Sequence, residues 1–184
     1  MFIKNIVKNA AALLNKDNVV KYLNNNTAEG DAIEAVDKLV RLTNLVISEL
    51  SHAGHYVVRT QWLTPKDEKI LYSTFRSRPI KIISIKDNEG KDCNYTITPD
   101  FIKVDKNASQ FTYAYEINNE TIDSSVTFED YSITDIAIAQ GVVAEYLLVL
   151  GDFDGAVYWH EKYVDLLKKY SKPKNVTIKQ RSFV

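Results

Sequence analysis

Two changes of hydrophobic period divide the chain into three regions. From Asn5 to Leu14 the pattern predicts a short amphipathic helix, and Asp17 or Asn18 can cap a second short helix running to Leu23. The polar run Asn24–Glu29 reads as a loop. From Asp31 to Ser51, Ile33, Val36, Val40, Thr43, Ile47 and Leu50 recur three and four apart, and Leu39, Leu42 and Val46 widen the stripe. That width predicts a helix facing a core rather than a narrow coiled-coil seam, with Gly54 as its terminator.

Between Tyr56 and Phe128 the period shortens to two. Leu71, Ser73, Phe75 and Ser77 oppose Ile70, Tyr72, Thr74 and Arg76; Ile80, Ile82 and Ser84 share one face of the next run. Asp87–Gly90 is a turn, and Cys93, Tyr95 and Ile97 alternate after it. Ile102–Val104 is short, Lys106–Gln110 reads as a turn, and Phe111, Tyr113, Tyr115 and Ile117 line a last strand. Five or six short strands joined by tight turns predict a small antiparallel barrel or sandwich.

The helical period then returns. Between Ile136 and Leu150 only Gln140 and Glu145 are strongly polar, which predicts a helix buried on nearly every side, with Ser132 and Asp135 as a capping-box variant. Gly151 closes it, Asp152 or Asp154 opens an amphipathic helix, and Ala156, Val157, Tyr163, Leu166, Leu167 and Tyr170 point inward until Pro173 stops it. The predicted fold is therefore α+β. N- and C-terminal helices (1–55 and 129–171) form a bundle, a β module (56–128) is inserted between them, and 172–184 is an extended tail. In that tail Val176, Ile178 and Phe183 alternate loosely with Lys174, Lys179 and Arg181, as in a segment that orders by adding to a partner's surface.

Composition narrows the function. Twenty-three basic and 24 acidic residues in 184 give a net charge of −1, so there is no basic footprint for gripping nucleic acid. The lone Cys93 excludes an intramolecular disulfide framework and fits a reducing compartment, and the N-terminus lacks a secretory signal pattern. No nucleotide-binding or nucleophile-elbow motif occurs. His160-Glu161 lacks the second histidine of a zinc protease helix, because Val164 stands in its place. His52 and His55 have no third ligand, and Cys93 has no base near it in sequence. Glu145 in its apolar helix requires a polar answer, within the chain or across a subunit boundary.

One resemblance gathers these features. Ala139, Gly141, Val142, Ala144, Glu145, Tyr146, Leu147, Leu148 and Gly151, then Ala156, Trp159, Lys162, Tyr163 and Leu167, and a basic ending with Lys179, Arg181 and Phe183, resemble the head–tail adaptor proteins of short-tailed bacteriophages. The tubular tail protein A type belongs to that group. The resemblance implies a structural virion protein, not an enzyme, made in the host cytoplasm and needing no cofactor, metal or membrane. Its copies, usually twelve, form a ring under the portal and extend the DNA channel to the next tail protein, while double-stranded DNA passes without specific binding. It implies core or subunit packing for Glu145, Tyr146, Trp159 and Tyr163, and portal docking for Val176, Ile178, Lys179, Arg181 and Phe183. The alternatives are another tail-completion or tail-terminator protein, a small hydrolase using His160 with Glu161 or Glu145, and a nucleic-acid module using the aromatic β face.

Overall fold

A computed structural model describes residues 1–25, 30–117 and 119–170. Among them the chain forms five α-helices and two three-stranded antiparallel sheets, which are not closed into a barrel. The tail 172–184, with its candidate docking residues Val176, Ile178, Lys179, Arg181 and Phe183, lies outside the described residues.

The helices are α1 (Ile3–Leu13), α2 (Asp17–Asn25), α3 (Gly30–His52), α4 (Asp135–Leu150) and α5 (Phe153–Tyr170). α4 packs against α1, α3 and α5. Its middle suits this role, since Ala137, Ala139, Gly141 and Ala144 are small and buried, letting neighbouring backbones come close. At Gly141 the approach is closest. A Cβ there would stand 3.0 Å from Val46 Cγ1 of α3 and 3.2 Å from Tyr163 Cε2 of α5.

Most of the stripe predicted on α3 is buried, and its first turn differs, with Ala32 facing the core in place of Ile33. Ala32, Val36, Leu39, Thr43, Val46, Ile47 and Leu50 are buried, and Ile33 is 43% exposed. Thr43 is tolerated inside because its hydroxyl donates back to the Leu39 carbonyl at 2.8 Å. α4 also departs from expectation: Ile136, Leu148, Val149 and Leu150 are exposed, so it is not buried on every side. Its N-cap is Thr134, whose hydroxyl accepts from Ala137 N at 3.3 Å, while Ser132 bonds to Asp130 instead of forming a capping box. Gly151 closes α4 at φ 80°, and Asp152 Oδ1 caps α5 through Gly155 N at 3.0 Å. On α5, Val157 is exposed rather than inward.

In the β region, β1 (Val58–Trp62), β6 (Ala108–Tyr115) and β3 (Pro79–Asp87) form one sheet in that order. The second sheet is β2 (Lys69–Leu71), β5 (Phe101–Val104) and β4 (Tyr95–Ile97). The alternation read across Ile70–Ser77 is strand only to Leu71; Tyr72–Thr74 is a 3-10 turn that swings Phe75 onto Tyr113 at 4.9 Å between ring centroids. The predicted turn at Lys106–Gln110 is shorter, since β6 begins at Ala108.

A segment after β6 ties the sheets to the helices. Ile3 N donates to Ser124 O at 3.0 Å and Val126 N to Met1 O at 2.9 Å. Asn44 of α3 clasps residue 120 at both backbone groups, with Nδ2 donating to Glu120 O at 2.9 Å and Oδ1 accepting from Glu120 N at 3.2 Å.

Candidate functional site

The four packing residues singled out in sequence meet different fates. Tyr146 is buried, and its ring lies under two ammonium groups, Lys16 Nζ at 5.1 Å and Lys38 Nζ at 4.8 Å from the centroid. Those lysines come from the α1–α2 connection and from α3, so one ring fixes three elements through paired cation–π contacts. Tyr163 is buried against Gly141. Burial first, and then the carboxylates of Glu49 and Glu145, push its phenol well above the ordinary tyrosine range. Trp159 is half-buried, edge-on to Tyr158 at 5.6 Å.

Glu145 is half-buried and has no hydrogen bond or ion pair among the described residues, so the answer expected within the chain is missing there. Its neighbour is another carboxylate. Partial burial, then the charge of Glu145, raises the Glu49 carboxyl, while His160 lowers it. Glu49, Glu145, His160 and Tyr163 thus converge where α3, α4 and α5 meet. His160 is exposed, with its ring tilted against Tyr163 at 6.1 Å, and Glu161 is exposed too. No group of three His, Cys, Asp or Glu side chains among the described residues is arranged to hold a metal ion. His52 Nδ1 donates to Ser48 O at 2.9 Å, and His55 faces Asp130 at 3.8 Å. Cys93 is buried, and burial together with Asp87, Asp105 and Asp92 raises its thiol, the opposite of what an activated nucleophile needs.

Two clefts open in the β region, on either side of Arg78 and Pro79. One, of about 600 Å³, is lined by Arg76, Ser77, Arg78, Pro79, Ile80, Tyr115, Glu116 and Glu120. The other, of about 580 Å³, is lined by Tyr72, Ser73, Phe75, Arg78, Pro79, Thr98 and Pro99. Neither contains His160. Behind the first cleft Arg59 is fully engaged: Nη1 donates to Ser77 Oγ at 2.7 Å and Nη2 to Tyr115 Oη at 3.2 Å. Its guanidinium stacks 4.2 Å from the Tyr115 ring centroid and faces Glu120 at 3.8 Å. Gln61 is similarly committed, donating to Thr74 O at 3.0 Å and accepting from Arg76 N at 2.9 Å and Tyr113 Oη at 3.0 Å.

The third surface is the corner between α4 and α5. Leu148, Val149, Leu150, Phe153, Val157 and Tyr158 are each between 47 and 65% exposed. The sequence reading missed this surface because it assigned every apolar residue of α4 to a core. A signal was available: α4 continues apolar for a full turn beyond Tyr146 with no side chain of matching period to cover it. No helix among the described residues is long and apolar enough to cross a membrane. Comparison with models of known protein families and with curated proteins finds no match to this chain.

Proposed function

We propose that this chain is a head–tail connector of a short-tailed bacteriophage, a structural virion protein whose copies form a ring beneath the portal and lengthen the DNA channel towards the tail. The observation that carries the reading is how the residues of the resemblance are used. Gly141, Tyr146 and Tyr163 serve the chain's own packing, while Leu148 and the corner beyond it are left bare at the end of α4. Spare apolar surface beside a rigid helical body is what a subunit of a larger assembly carries. Glu145, half-buried with no described partner, is then answered across a subunit boundary. A near-neutral chain also suits a channel through which DNA slides, because phosphate contacts would hold it back. In this reading the portal takes the tail residues Val176, Ile178, Lys179, Arg181 and Phe183, and a downstream tail protein takes the far face of the ring.

The test is assembly on a purified portal ring, followed by native mass spectrometry and electron microscopy. A closed ring of this chain on the portal is expected, lost when Asn175–Val184 is deleted, together with weak, salt-sensitive affinity for duplex DNA. A chain that never associates with a portal refutes the reading. Turnover of a substrate that Glu145→Gln or His160→Ala abolishes would favour the hydrolase instead.

A further inference from the structure

Two half-buried lysines meet on one tyrosine. Lys16, from the α1–α2 connection, and Lys38, from the middle of α3, place Nζ 5.1 and 4.8 Å from the centroid of the Tyr146 ring on α4. Measured from that shared point, the two charges stand no more than about 10 Å apart, a Debye length at about 0.1 M salt. Neither ammonium group has an ion pair or a hydrogen bond among the described residues. The ring attracts each cation through its quadrupole but neutralises neither, so their mutual repulsion stays.

The tyrosine hydroxyl is open as well. Tyr146 is 7% exposed, and its hydroxyl has no hydrogen-bond partner among the described residues. The enclosed side-chain oxygen or nitrogen left without a partner among them is Gln140 Oε1, not the phenol oxygen, so the Tyr146 hydroxyl reaches solvent. Three donors, two charged and one neutral, are thus gathered within the span of one side chain and carried there by three different elements.

The donor set decides what can be accepted there. An ammonium is a compact point charge, without the planar fork by which a guanidinium holds a carboxylate. A tetrahedral oxyanion presents oxygens in several directions and can accept from donors that arrive on different elements. The flanking charges limit its size. Asp17 follows Lys16, Asp37 precedes Lys38 and Glu34 lies one turn before it, and all three are exposed. An extended polyanion would have to pass these carboxylates, whereas one small anion at the ring edge touches only the donors.

We infer that Lys16, Lys38 and the Tyr146 hydroxyl form a binding site for a compact tetrahedral oxyanion of the phosphate type. Seated there, it joins the α1–α2 connection, α3 and α4, and stabilises the helical body by mass action. The site is a property of the single chain and does not depend on the connector reading.

Inorganic phosphate is titrated into the full-length protein in a buffer free of phosphate and sulfate, with sodium chloride adjusted to hold ionic strength constant. Binding is read by isothermal titration calorimetry and by Tm. Wild type should bind one phosphate per chain, with a Tm that rises and then levels off. Lys16→Gln combined with Lys38→Gln should weaken binding by about tenfold or more, as loss of charge-assisted hydrogen bonds does. Tyr146→Phe keeps the ring and its two cation contacts, so it should give a wild-type circular dichroism spectrum and still bind about tenfold more weakly. This variant decides the matter even if the lysine pair fails to fold. Undiminished binding by either folded variant overturns the three-donor site, and so does a wild type without saturable binding. A Tm that climbs without levelling, equally in every variant, is the mark of an excluded salt and overturns it too. A short DNA duplex that displaces phosphate and binds more tightly would reassign the site to a nucleic-acid backbone and overturn the compact ligand.

Discussion

Replacing Gly141 by alanine is the sharpest test of how tightly the three helices are joined. In an exposed helix the change is stabilising by about 1 kcal/mol, because glycine loses more backbone freedom on folding. Here the new methyl would stand 3.0 Å from Val46 Cγ1 and 3.2 and 3.3 Å from two ring carbons of Tyr163. Relief in one direction is blocked by the other, since Val46 on α3 and Tyr163 on α5 flank α4 and are both buried. Valine is also held stiffly at χ1 on a helix. Overpacking of this kind costs about 1–3 kcal/mol, so the balance is a net loss of roughly 1–2 kcal/mol. For a chain of this size that lowers Tm by about 3–6 °C, read by circular dichroism with a urea titration to show an unchanged m-value. Val46→Ala alone should cost about 2 kcal/mol through lost burial and a small cavity. Combined with Gly141→Ala it should cost about 1 kcal/mol less than the sum, because the methyl fills the space just vacated. A Gly141→Ala variant more stable than wild type, or a strictly additive pair, would refute the close approach.

Three further outcomes can be measured on the purified chain. Glu49 holds its proton more firmly when folded than the ordinary 4.5, so the charge it takes on above that range works against the fold; Glu49→Gln should raise Tm at pH 7, with the gain fading below about pH 4.5. Tyr163 likewise keeps its proton in the fold after an unfolded tyrosine has lost it near 10, so wild type should lose stability as pH climbs past 10 and Tyr163→Phe should lose less, seen in alkaline urea melts. Arg59→Ala removes two hydrogen bonds, a ring stack and a partner of Glu120, and should cost about 2–3 kcal/mol; Arg59→Lys should restore under half of that, since an ammonium cannot make the stack and both bonds at once.

How far the sequence could be read follows from which interactions are local. α4 and α5 announced themselves by period and by Gly151, whose left-handed φ of 80° suits a residue without a Cβ. The face of α3 was legible except in its first turn, where Ala32 is buried and Ile33 is 43% exposed; Thr43, part of the predicted stripe, is admissible inside through its back-bond to Leu39. β1 escaped notice because Val58–Trp62 turns Arg59 and Gln61 towards the aromatic face, where partners 13 to 56 residues away satisfy them. No alternation of polar and apolar letters reveals a polar side chain that folding will neutralise. The grip of Lys16 and Lys38 on Tyr146 was hidden for the same reason.

The tie between the Met1–Ile3 backbone and residues 124–126 has a consequence for the order of events during synthesis. α1 and α3 emerge from the ribosome early, yet α4, the helix that covers them, begins only at Asp135. Their apolar faces must wait while more than half the chain is made. The two small sheets, whose pairings lie entirely within residues 58–115, can settle in that interval. Closing the helical body is then a late step of long sequence separation, governed by loop-closure entropy rather than by local propensity. During translation the vulnerable species is therefore an N-terminal helical segment in search of its partner, and the completed strands set where that partner will arrive.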